Sequence, residues 1–135
     1  MAGYTTHDIV AVAEFRASLR RFLRRTEKIA RKSGLTPQRY LLLLMVRGAP
    51  DGSGRSTVTE LAERMQLAQS TVTELVSRAE EAGLIEREQS QTDARVAHLR
   101  LSDEGERRLG DAFTSLASER QSLRDTFAHL EAEVD

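Results

Sequence analysis

A mainly α-helical fold carrying one small β-hairpin is what this sequence predicts, and three observations predict it. Apolar residues recur at three- and four-residue steps through much of the chain, the spacing of helices that bury one face. Residues 96–101 switch to alternation, with Ala97, Leu99 and Leu101 set against Val96, His98 and Arg100, as a half-buried strand requires. Turn-forming residues gather around Gly34, Gly48–Ser56 and Gly83, and these separate the periodic stretches.

The first helix is expected from about Asp8 to Lys32, where Ile9, Val12, Ala13, Phe15, Leu19, Phe22, Leu23 and Ile29 form an apolar stripe and Arg16, Arg20 and Arg24 line another face. Gly34 stops it. Thr36 then supplies an N-cap and Pro37 a first helical residue whose missing N–H costs nothing there, opening a second helix to about Arg47. Leu41 to Val46 is apolar all round, which places this helix in the interior. GAPDGSGRS, Gly48 to Ser56, reads as an exposed, mobile connector. Thr57 and Glu60 have capping-box spacing at the start of a short third helix, which ends in a tight turn at Leu67 and Ala68. In the fourth helix Val72, Leu75, Val76 and Ala79 stand at i, i+3, i+4 and i+7, and Gly83 suits a left-handed cap. LIERE and RVAHLRL then form the two strands of the hairpin. Ser102 caps one long last helix, with Asp103 and Glu104 at its positive end and Leu109, Phe113, Leu116, Leu123, Phe127 and Leu130 along it.

Composition narrows the function. At 135 residues, 39% hydrophobic and 30% charged, the chain suits one globular domain with a real core. No apolar run approaches the ~18 residues of a membrane span, and the N-terminus lacks the basic start and apolar segment of a signal peptide, so the expected compartment is the cytoplasm, without a membrane partner. The absence of cysteine excludes disulfides, thiol nucleophiles and cysteine-ligated zinc. His7, His98 and His129 fall in separate regions without helix-spaced partners, so no metal and no cofactor is expected. No nucleophile and base stand at recognisable spacing and no glycine-rich phosphate loop is present, which argues against an enzyme.

A short helix, a tight turn, a second helix and a hairpin make a winged helix-turn-helix. With its apolar stripe turned inward, the fourth helix leaves Gln69, Ser70, Thr71, Thr73, Glu74, Ser77 and Arg78 outside, where short polar side chains can approach base edges and phosphates. The same residues also suit a solvated face, or plain capping. Glu74 would be repelled by phosphate; it either accepts from a cytosine amino group or pairs with Arg78 one turn on. At the hairpin tip Arg95 meets the minor groove, and Asp93 two residues earlier can brace its guanidinium; alternatively the two form a surface salt bridge of little consequence. Arg87 at the hairpin base is a candidate phosphate contact.

The run from Ser56 to Gly105 resembles bacterial MarR-type transcriptional regulators. The helix-turn-helix, the glycine before the wing, Asp93-x-Arg95 and the Leu-Ser-x-x-Gly opening of the next helix occur in the family's order, and LTPQRYLLLL looks like the family's second helix. The resemblance implies a homodimer with interlocking terminal helices that binds a pseudo-palindromic operator in double-stranded DNA and usually represses. It also implies a small-molecule effector, bound between the dimerisation and DNA-binding regions, that releases DNA. Two departures stand out: Glu74 lies where the family often has a basic or small residue, and the chain closes with one long helix where many relatives have two.

Charge supports pairing of the ends. Residues 8–32 hold eight Lys or Arg against three acids, a net +5, and residues 103–135 hold four Arg against nine acids, a net −5. Exchange of these helices between subunits would bury both apolar stripes; the alternative is that each folds back on its own subunit. The expected organisation is a single domain, with 1–34 as one dimerisation helix, 35–101 as the DNA-binding region and 102–135 as the other dimerisation helix. Arg16, Arg20 and Tyr40 could line a pocket for an anionic or aromatic effector, or simply lie on the dimer surface. A pI near 6.3 keeps a second reading open, a winged-helix module that binds protein rather than DNA.

Overall fold

The computed structural model describes residues 3–132, so the last three residues of the expected C-terminal helix lie outside the described part. Helix α1 spans Thr6–Lys32, α2 Pro37–Arg47, α3 Val58–Met65 and α4 Gln69–Glu81; strands β1, Ile85–Gln89, and β2, Ala97–Leu101, follow; α5 spans Asp103–Ser115 and α6 Ala117–Ala132. The strands pair antiparallel with Ile85 opposite Leu101 and Arg87 opposite Leu99.

Helix starts follow capping chemistry. The Thr5 hydroxyl accepts from Asp8 N–H while the Asp8 carboxylate accepts from Thr5 N–H, a capping box that starts α1 two residues earlier than its apolar pattern does. Thr57 and Glu60 exchange the same two bonds at α3. Thr36 and Ser102 cap α2 and α5 through Arg39 and Gly105 N–H. Helix α3 ends at Met65 because Gln66 turns left-handed at φ 56°, with its side-chain amide donating to Glu63 O at 2.6 Å. Gly83 takes φ 74° after α4.

Leu42, Leu43 and Val46 of α2 have no exposed surface, so this helix is the centre of the core, packed by α1, α3, α4, α5 and β2. Truncation of such a leucine to alanine costs about 2–5 kcal/mol, because the cavity cannot close fully. The 48–56 connector is exposed at its tip, as its composition suggests, but it is held by hydrogen bonds of Gly52 N–H to Ala49 O and Ser53 N–H to the Asp51 carboxylate, both 2.9 Å. At its end Ser56 forms an antiparallel bridge with Leu99: each N–H donates to the other's carbonyl, at 3.0 and 2.8 Å. The wing root is thereby joined to the start of the helix-turn-helix.

One expectation is corrected. The C-terminal region is not one long helix: the chain leaves helical geometry at Leu116, with φ −99° and ψ 9°, and resumes as α6. Leu116 is fully buried, and the Arg120 guanidinium lies 3.6 Å over the Phe113 ring while donating to the Phe113 carbonyl, which also accepts from the Leu116 N–H. The bend lets α5 pack on the core and α6 return along α1. The terminal helices of opposite net charge also meet within the chain. Arg25 Nε donates to Glu119 Oε1 at 3.1 Å, Phe15 meets Phe127 edge-on at 6.0 Å, and the Thr126 hydroxyl donates to Ser18 Oγ at 3.3 Å.

Candidate nucleic-acid interface

The fourth helix presents two unlike faces. Val72, Val76 and Ala79 are fully buried, which orients the helix and leaves Gln69, Ser70, Thr71, Thr73, Glu74 and Arg78 exposed; Ser77 is half-buried at the edge of that face. The N-cap of α4 is Ala68, which has no side chain able to accept, and no side-chain cap bond is made. Ser70 and Thr71 therefore do not serve as its cap. The first-turn N–H groups, with the positive end of the helix dipole, suit a phosphate oxygen. Gln69 donates to the Thr59 hydroxyl at 3.3 Å, which fixes the first α4 side chain against α3.

Glu74 and Arg78 form the intrahelical pair, at 2.7 Å. Arg87 turns back towards α4, where its Nε lies 2.8 Å from Glu80 Oε1, so the base of the wing is pinned to the end of the reading helix.

At the wing tip, one carboxylate oxygen of Asp93 accepts from both the N–H of Arg95, at 3.0 Å, and its Nε, at 3.2 Å. The backbone bond, and then the side-chain bond, hold the Asp93 carboxyl below its ordinary pKa. Arg95 is gripped at Nε while 90% of its side chain stays exposed. Two residues that the sequence pattern did not single out shape this tip. Ser90 Oγ accepts from the N–H groups of Thr92 and Asp93, both at 3.3 Å, and the Gln89 amide donates to the carbonyls of Ala94 and Val96. Ser90 carries a signal, since a hydroxyl two or three residues before an N–H is a turn motif; Gln89 carries none. The second strand is shorter than the apolar pattern suggests, with Arg95 and Val96 in the tip rather than in β2, and the first is shifted by one residue to Ile85–Gln89.

Arg16 and Arg20 are exposed on α1, whereas Tyr40 is buried in the core, its hydroxyl pKa raised by desolvation against a smaller lowering effect of Arg120. Clefts in the surface are lined by other residues. One of about 330 Å³ lies between α1 and α6, among His7, Val10, Glu14, Asp125 and His129. Another of about 370 Å³ lies between α2 and α5, with Leu44, Leu109 and Phe113 beside Arg47 and Glu106. Among the described residues no group of three or more His, Asp or Glu is placed to hold a metal ion, and no helix is long and apolar enough to cross a membrane.

An uncapped polar helix beside an arginine-tipped hairpin, both set on one buried scaffold, defines a winged helix-turn-helix regulator. Comparison with known proteins narrows the class. Residues 33–96 match the model of the MarR family. The chain is 30% identical over 127 residues to the uncharacterized HTH-type transcriptional regulator YsmB of Bacillus subtilis, covering 91% of this chain and 82% of that one. It is 37% identical over 75 residues to the transcriptional repressor MdtR of the same organism, across 56% of this chain and 46% of the relative. The crystal structure of apo MarR from E. coli superposes with a TM-score of 0.70 at 18% identity, covering 88% of this chain and 90% of that one. The chain belongs to the MarR family. It is a DNA-binding transcriptional regulator and not an enzyme.

Proposed function

We propose that the chain acts as a homodimeric, sequence-specific repressor that binds a pseudo-palindromic operator and is released from it by a small aromatic or anionic molecule. The observation that carries the DNA-contact part is Arg95, 90% exposed yet braced at two points by Asp93. An arginine whose Nε is held in this way loses less rotamer entropy on entering a minor groove. The exposed Gln69, Ser70, Thr71, Thr73, Glu74 and Arg78 then face base edges and phosphates in the adjacent major groove.

Dimerisation is supported by apolar surface that the chain does not cover: Ile9, Val10, Val12 and Leu23 of α1 and Phe127 of α6 are each about half exposed. Two copies joined there present two reading helices about one DNA turn, ~34 Å, apart. Repression is supported by the name of the relative MdtR, and operator binding by a solved complex of a mutant E. coli MarR with operator DNA, of TM-score 0.70 to this chain. For the effector, the α2–α5 cleft offers an apolar floor and the Arg47 cation, and it stands where the reading part meets the terminal helices. Arg16, Arg20 and Tyr40 are not gathered around such a space.

Selection of bound sequences from random duplexes, run beside Arg95→Ala, tests the reading. The native protein should enrich a pseudo-palindrome, and the variant should lose about 1–3 kcal/mol, the scale of a good groove contact. No enrichment at low salt would transfer the helix and wing to a protein partner.

A further inference from the structure

The reading side holds its arginines in acid–base couples. Arg78 lies 2.7 Å from Glu74, with both side chains about two-thirds exposed, at 64% and 65%. Arg87 lies 2.8 Å from Glu80, and Arg100 lies 3.6 Å from Glu86 and 3.7 Å from Glu88. Any cation free to meet phosphate raises affinity for every sequence alike, through release of condensed counterions. These couples therefore lower affinity for DNA in general. They add little to the fold in return, since an exposed pair shifts an equilibrium by about fivefold at most.

Resting on the DNA-reading role proposed above, we infer that Glu74 and Glu80 are specificity-determining residues, which withhold Arg78 and Arg87 from indiscriminate phosphate contact and yield them to a matching site. Moving Arg78 from the Glu74 carboxylate to a phosphate exchanges one anion for another and leaves the carboxylate facing the backbone, so a random duplex gains little. A bidentate contact to guanine discriminates by about 5- to 150-fold, which exceeds the grip of an exposed pair. Asp93 works differently. It holds Arg95 from behind, at Nε and N–H, and leaves the side chain 90% exposed. The face thus combines one arginine that is presented, Arg95, with three held in couples, of which α4 itself grips Arg78 and Arg87.

The test uses the full-length protein, the operator from the selection above and a fixed random-sequence duplex, titrated at several salt concentrations. Glu74→Gln and Glu80→Gln should each raise random-duplex affinity by about 5- to 10-fold near 0.1 M salt and steepen the salt slope by about one. Operator affinity should rise less, so the ratio of operator to random binding falls. Glu27→Gln, the same charge change on exposed α1, should leave that ratio unchanged, and Glu74→Asp should retain most of it. An unchanged ratio in both Gln variants, or an equal change in Glu27→Gln, overturns the inference. So does a loss of operator affinity alone in Glu74→Gln, which would make Glu74 a base reader. Failure of the native protein to select any site sinks the DNA reading itself, whereas selection with an unaltered ratio sinks only the role of the two glutamates.

Discussion

Around α4, Val72, Val76 and Ala79 have no exposed surface, whereas along α1 Ile9, Val12 and Leu23 are 54%, 52% and 51% exposed. Both helices carry apolar stripes at the same spacing. The stripe of α4 is covered by α2, α3 and β1, while α1 is met along its length mainly by α6. Periodicity states that a face is to be buried and says nothing about the molecule that buries it. In the reading region the chain supplies its own cover; in the terminal region a second copy is the proposed one.

The sharpest way to break this comparison is to place aspartate in both stripes. Val76→Asp buries an unpaired charge and should remove more than about 4 kcal/mol, abolishing the cooperative thermal transition. Ile9→Asp should leave the helical circular dichroism intact and shift the sedimentation coefficient towards a monomer. If the two variants unfold alike, the distinction between the regions fails. Gly105→Ala comes next. A Cβ there would stand 2.2 Å from the Leu84 carbonyl, where the start of α5 crosses the end of the reading helix, so the backbone must shift. Urea unfolding should register a loss of about 1–3 kcal/mol, as for other overpacked sites. Thr57→Ala removes one half of the α3 capping box and should cost ~1 kcal/mol in the same assay.

The smallest effect belongs to pH. The Asp93 carboxyl is held below its ordinary value, so its tie to Arg95 is fully present above the usual aspartate pKa of about 4 and is lost as pH falls through the depressed value. An NMR titration should show the Arg95 Nε–H resonance constant from pH 8 to 5 and moving only below about 4. Movement near neutral pH would mean that some other group grips the arginine.

Much of the fold is legible in the sequence because its punctuation is local. Thr36–Pro37, Thr57–Glu60 and Ser102 each act on N–H groups within three residues, so their meaning does not depend on tertiary contacts. The bend at Leu116 is different. Thr114 to Ser118 contains neither glycine nor proline, and the helix breaks there because α5 and α6 must face different partners, which no local pattern records. Gln66 is equally silent, since nothing in its identity announces a left-handed turn. In the candidate site, Asp93 and Arg95 are two residues apart and readable together. The Glu80–Arg87 couple depends on how a hairpin folds against a helix end, so the sequence reads Arg87 as a phosphate contact and carries no sign of its partner Glu80.

The bridge between Ser56 and Leu99 has a mechanical consequence. Its two backbone bonds, with the Ser56 hydroxyl donating to the Val46 carbonyl, knot the base of the wing, the end of α2 and the approach to α3 into one joint. The finger therefore cannot swing as a free flap. The span from its arginine to α4 acts as a fixed calliper, set before any duplex arrives, and a site whose two grooves are spaced otherwise must itself bend to be gripped.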